Sequence, residues 1–273
     1  MLSRILAVNL ARSGPSPSAD RGSGATDPGA AGDGGAGEAP VAQDIVEARL
    51  LDALAGSDCP ICVIRRRVAT RYFDGILWES VNDPGVRAEL SVARGYCPTH
   101  ASEVLAADTR QAGGGAGAAT LYASIVGSRI PELREVASAA DRSVARATAA
   151  AARPARCPCC AVVQGAVSGA VAHIVEHLSM PAWKARVAAS SPCLDDLLVL
   201  GTATSARPGA RAAWSDVAAV QVERLERLRD DLLAFSHNSS HDRRHRITGS
   251  QQAAPRLAAR FLGGDMVDRD GDR

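Results

Sequence analysis

Cys59-Pro60-Ile61-Cys62 is followed after 34 residues by Cys97-Pro98-Thr99-His100, and Cys157-Pro158-Cys159-Cys160 after 32 by Cys193-Leu194-Asp195-Asp196. The first pair reads as C-x2-C with C-x2-H. The second repeats it with an aspartate in the histidine's place. Six of the seven cysteines belong to this scheme. A C-x2-C turn delivers two thiolates from one tight loop, and a distant C-x2-H completes a tetrahedral N/S set of the kind Zn2+ prefers. A helix starting beside each cysteine pair would aim backbone N–H groups and the positive end of its dipole at the sulfurs.

Working outward, the helix signals recur in the same order in both halves. Ile45, Ala48, Leu51 and Leu54 fall at helical spacing, and Gly56 is a stop signal. Pro60 to about Val81 forms an amphipathic stretch with Ile64, Val68, Tyr72, Ile76 and Leu77 on its apolar face. Asp83-Pro84 is an N-cap followed by proline at the first helical position. Val162 to Leu178 and then Pro181 repeat this. Cys59, Cys62, Glu79, Pro84 and Cys97 match Cys157, Cys160, Glu176, Pro181 and Cys193 at a period of about 97 residues, the signature of a duplicated unit. Pro131 is expected to open an Ala-rich helix that Pro154 ends, and Pro208 a long helix to about Phe235.

The predicted fold is all-α: two pseudo-repeated helical units, each pinned by a Cys/His cluster, plus a C-terminal long helix and hairpin. The expected boundaries are a disordered Gly/Ala/Ser/Pro-rich tail over 1–42, a first unit over 43–111, a linker over 112–130, a second unit over 131–207, C-terminal helices over 208–264 and a tail over 265–273. Residues 9–42 of this tail have too few large apolar residues to offset the entropy of ordering them.

Cys59, Cys62, Cys97 and His100 form a complete donor set, and zinc is the ion expected there. Cys157, Cys160 and Cys193 are the related ligands in the second unit. Its fourth donor is open between Asp196, Cys159 and His177, and a metal-free packing cluster is the remaining reading. Ligand types alone also admit Fe–S. Cys-Pro-x-Cys further resembles a glutaredoxin-type dithiol, so a thiol–disulfide oxidoreductase or redox sensor using Cys59/Cys62 or Cys157/Cys160 is the alternative function. Helical flanks and the distant C-x2-H favour metal. His173-Ile174-Val175-Glu176-His177 matches an inverted zincin pattern, but Glu79 at the related position has no flanking histidines, so a histidine pair at the core edge is expected. Arg65-Arg66-Arg67 reads as a solvated face, as does the polar turn holding His237, His241 and His245.

Net charge is +1, from 31 basic and 30 acidic residues. That balance lacks the cationic excess of a nucleic-acid binder. Hydrophobic residues make up 46% and aromatics 3%. No apolar run reads as a bilayer span. Met1 to Val8 resembles a signal peptide but is interrupted by Asn9 and Arg12. The expected location is therefore cytoplasmic, where clustered thiols mean metal or redox chemistry rather than structural disulfides. No membrane partner is expected, a protein partner is the open class, and the oligomeric state is not written in the sequence.

The succession Cys59-Pro-Ile-Cys62, Glu79-Ser-Val-Asn-Asp-Pro84, Gly95-Tyr-Cys-Pro-Thr-His100 and a second Cys157-Pro-x-Cys160 is similar to an uncharacterised bacterial family of unknown function. The resemblance covers about residues 44–264. It implies the architecture and no activity. In that family the second unit also ends in C-x2-H, so Cys193-x2-Asp196 is a departure that bears on the second site's metal.

Overall fold

Proline starts six of the helices, because its fixed φ suits the first helical turn and its missing N–H would be unpaired there anyway. In a computed structural model that describes residues 45–264, apart from 112–113, 139–142, 147, 149–155 and 241, all regular structure among the described residues is helical. The helices are α1 (Ile45–Ala55), α2 (Pro60–Gly75), α3 (Pro84–Ala93), α4 (Pro98–Arg110), α5 (Ala116–Ser138), α6 (Pro158–His177), α7 (Pro181–Ala189), α8 (Leu194–Ser205), α9 (Pro208–Asn238) and α10 (Gly249–Gly263). A π-helical turn, Ile76–Ser80, prolongs α2. The expected tails, and the expected end of the Ala-rich helix near Pro154, lie outside the described residues.

Local signals account for most boundaries. Asp83 caps α3 by accepting from the N–H groups of Gly85 at 2.7 Å and Val86 at 3.1 Å. Arg94 and Gly95 end it with φ of 60° and 93°, the left-handed exit that frees a helix C-terminus. Thr248 and Gln251 form a capping box at the start of α10. Pro131 departs from expectation: it lies inside α5, which starts earlier, at Ala116. Buried Asp108 makes that earlier start, its carboxylate accepting the Ala118 N–H at 2.7 Å and so satisfying one of the unpaired donors of the first turn.

The core sits around α2 and α6, which pack on each other more extensively than any other pair of helices. One cluster joins Leu50, Leu54 and Ile61 to Ile174, Leu178, Trp183, Leu200 and Val217. A second surrounds Phe73, Val104, Ala107 and Cys159. The triplets α2–α3–α4 and α6–α7–α8 run in the same order, and α9 covers the second with α10 against it. Among the described helices α6 alone is long and apolar enough to cross a membrane. The expectation that no apolar run could span a bilayer did not single out this helix, which passes by length and composition alone. Here its apolar face, including Val167, Val171, Ile174 and Val175, is buried in protein.

Candidate metal centres

Each motif places its first donor at a helix N-cap and its second in the first turn. Cys59 caps α2, Cys97 caps α4, Cys157 caps α6 and Cys193 caps α8. None of the four makes a side-chain capping hydrogen bond. The first-turn N–H groups and the positive dipole end are thereby left facing the sulfurs.

The helices meet N-terminus to N-terminus, but not in the pairing that chain order suggests. The within-unit sets expected from the sequence are overturned. Cys97 and His100 lie with Cys157 and Cys160, while Cys59 and Cys62 lie with Cys193 and Asp196. In each group one donor atom per residue falls within 4.8 Å of all the others. The reason is the packing of α2 on α6: it carries each Cys-Pro-x-Cys turn away from its own unit's C-x2-H or C-x2-D helix and towards the other's.

The edge lengths are close to those of a single ion's coordination shell. A tetrahedral zinc with Zn–S of about 2.3 Å and Zn–N or Zn–O of about 2.1 Å sets sulfurs about 3.8 Å apart and a nitrogen or oxygen about 3.6 Å from each sulfur. In the first centre, Cys97 Sγ is 3.6 Å from Cys160 Sγ. His100 Nδ1 is 3.3, 3.5 and 3.2 Å from the sulfurs of Cys97, Cys157 and Cys160. In the second, Cys62 Sγ is 3.9 Å from Cys193 Sγ. Asp196 Oδ2 is 3.2, 3.5 and 3.1 Å from the sulfurs of Cys59, Cys62 and Cys193.

Surrounding groups orient the donors. The His100 ring packs against Phe73 with centroids 6.1 Å apart. Its Nε2 lies 4.0 Å from Glu103, on the side where a carboxylate holds a ligating histidine in its tautomer. At the second centre Arg65 grips Asp196 with two parallel bonds, Nη1 to Oδ2 at 2.7 Å and Nη2 to Oδ1 at 2.5 Å, and Nη1 also reaches Cys62 Sγ at 3.5 Å. Asp196 is wholly buried. Gln221 and Arg224, both from α9, hydrogen-bond the carbonyls at the end of α7, fixing the turn that leads to Cys193. Beyond the sulfurs lies a cleft of about 340 Å³ lined by Leu225, Leu228, Arg260 and Phe261, with Gly264 over Cys62 and Cys193.

Charge is unequal among the thiols. Hydrogen bonds from Cys59 and Cys62, helped by the Asp196 backbone N–H, pull the Cys193 thiol far down. Cys97 is also lowered: burial opposes this, but the N–H groups of His100 and Thr99 and the thiols of Cys160 and Cys157 outweigh it. Their partners go the other way. Hydrogen bonding to Cys193 pushes Cys62 up to about 12, and burial with the same kind of sharing pushes Cys160 up to about 12. In each centre the cysteine of the C-x2-H or C-x2-D pair is thus the more acidic thiol, set against a raised neighbour.

The remaining candidates fall elsewhere. Cys159 is fully buried in the second core cluster. His177 stacks on His173 and bonds its carbonyl at 2.9 Å. Neither joins a donor group. Glu176 of the H-x-x-E-H stretch is exposed, and His173 turns to buried Glu47 at 3.8 Å. His237 meets Arg243 at 3.1 Å, while His241 lies outside the described residues. In the Arg65–Arg67 run, Arg66 and Arg67 lie on an exposed face as expected, and only Arg65 departs from the solvated-face reading. Arg66 pairs with Asp58 at 3.6 Å and Arg67 with Asp52 at 2.6 Å, and Arg65 is part of the second centre. Sequence reading missed Arg65's role, since its partner is 131 residues away.

The chain matches no curated protein and no solved structure. A family model does match, over residues 41–268. On that coverage the chain belongs to DUF6062, a family of unknown function.

Proposed function

We propose that this protein is a zinc-stabilised helical module in which both ions are structural, acting in the cytoplasm as an interaction or regulatory element rather than as an enzyme. One observation carries the reading. Eight donors on four helix N-termini gather into two sets whose edges fit one tetrahedral ion each. Both sets are complete with protein ligands, whereas catalytic zinc sites keep a position for water or substrate. Edges of 3 to 4 Å surround a single ion; a multi-iron cluster, with irons and sulfides between its ligands, holds them further apart. A partner role is favoured by the surface: Trp78 is 82% and Val92 80% exposed.

The dithiol reading is the weaker one, because each Cys-Pro-x-Cys pair already faces a third thiol and a fourth donor. Metal analysis of the purified protein, with thiol titration before and after chelation, separates the two. The expected result is two equivalents of zinc with thiols that react only after chelation. Less than about half an equivalent, together with fast-reacting thiols and turnover in a disulfide-reduction assay, would replace the metal reading with the redox one.

A further inference from the structure

The two centres differ by one ligand, and that difference changes their charge. Zn2+ with three thiolates and a neutral imidazole carries −1. With a carboxylate in place of the imidazole it carries −2, and Asp196 is buried where uncompensated charge is expensive. Arg65 removes the difference. Its guanidinium holds both Asp196 oxygens and reaches Cys62, so the second centre with Arg65 again totals −1. The related position in the other unit is read directly: Arg65 stands three residues after Cys62, and three after Cys160 stands Val163. Histidine therefore goes with valine, and aspartate with arginine.

We propose, on the metal reading above, that Arg65 is an integral part of the second metal site: a positioning and charge-balancing residue that lets a carboxylate stand in for histidine. Asp196 and Arg65 act as one unit. The guanidinium fixes the carboxylate so that Oδ2 meets the three sulfurs, and it leaves the loaded cluster with the same net charge as its counterpart. The pair explains how the second site keeps a metal although it lacks the histidine.

The test is zinc stoichiometry and affinity on the full chain, by competition with a chromophoric chelator, with circular dichroism as a fold check. Wild type should bind two equivalents. Arg65→Val should keep the equivalent held by Cys97, His100, Cys157 and Cys160 at unchanged affinity. The other should weaken by roughly 10- to 100-fold, the usual loss when an outer-shell partner is removed. Arg65→Val with Asp196→His rebuilds the first centre's chemistry and should recover the second equivalent. Asp196→His alone, with Arg65 still in place, should bind more weakly than that double variant. If Arg65→Val fails to fold, the double variant, with no unpaired buried charge, decides the matter.

Two equivalents at wild-type affinity in Arg65→Val, or no recovery in the double variant, would overturn the proposal. So would a wild type that binds a single equivalent lost on Cys97→Ser, because Arg65 and Asp196 would then be a metal-free ion pair. A wild type that binds none would instead overturn the metal reading itself.

Discussion

The exchanged pairing makes opposite forecasts from the pairing that chain order suggests, and double substitutions separate them. Cys62 and Cys193 belong to one centre, Cys97 and Cys160 to the other. Cys62→Ser with Cys193→Ser should therefore abolish one site and leave one equivalent of zinc. Cys62→Ser with Cys97→Ser should abolish both. Within-unit sets would give the reverse. Stability follows the same logic. An ion at about a thousand times its Kd contributes about 4 kcal/mol, and a fold of this size shifts its Tm by about 2–4 °C per kcal/mol. Each lost site should then lower Tm by roughly 8–16 °C. The Cys62/Cys193 double variant should lose about as much as either single one, since the same ion is lost once. The Cys62/Cys97 costs should add. Native mass spectrometry counts the ions, and thermal melts in zinc buffer supply the energies. One ion retained in Cys62→Ser/Cys97→Ser, with none in Cys62→Ser/Cys193→Ser, would refute the crossed assignment.

Zinc loading at pH 7 should release at least three protons, because Cys59, Cys62 and Cys160 are all held as thiols above their ordinary value of 9.0; calorimetry in buffers of different ionisation enthalpy counts them, and fewer than three would mean that these thiols are already ionised. The sign follows: affinity should rise with pH through neutrality, since each ligand must lose its proton before binding. Gly264→Val should weaken the second centre and spare the first, because Gly264 has φ of 73° and a Cβ there would sit 3.6 Å from Cys62 Sγ; a wild-type zinc titration would show that this segment does not press on the sulfurs. A protease cut in the Gly-rich segment between α4 and α5 should leave two fragments that stay together in mild denaturant until a chelator is added, whereas fragments that separate with one ion each would contradict the crossed geometry.

Much of this was legible in the chain. Proline at the first helical position, Asp83 as a cap, the apolar spacing of α9 and the eight donors could all be read from local sequence, since each depends on neighbours a few residues away. The partnership of the donors could not. Spacers of 34 and 32 residues can close within a unit or leave both ends free to meet the other unit. Chain order favours the local closure only through loop entropy. Extending the Cys62 closure from 34 to about 131 residues costs only about 1.2 kcal/mol on a (3/2)RT ln n scaling. Burial along α2 and α6 outweighs that easily: one fully buried Ile or Leu is worth about 1.5–3 kcal/mol, and Ile61, Ile174 and Leu178 are all at 1% exposure or less. Arg65 was hidden for the same reason. Its run of three arginines looks like surface until tertiary packing brings Asp196 to it.

Crossing the donors also changes what bound ions would do for the fold. With within-unit sets, each ion would stabilise its own unit and leave the two joined by side-chain packing alone. As built, each donor set takes two residues from 59–100 and two from 157–196, so in this fold neither stretch completes a four-donor shell by itself. Metal-binding energy is folding energy in sites of this kind, and here it would appear only once both halves are in register. The four helix N-termini add to this coupling. Brought together without an ion, their positive ends would repel one another; with thiolates and a carboxylate between them, each N-terminus stabilises the ligands of its partner as well as its own. Ions in these centres would therefore act between the units, and occupancy of either would report on the docking of α2 against α6 rather than on the folding of one half.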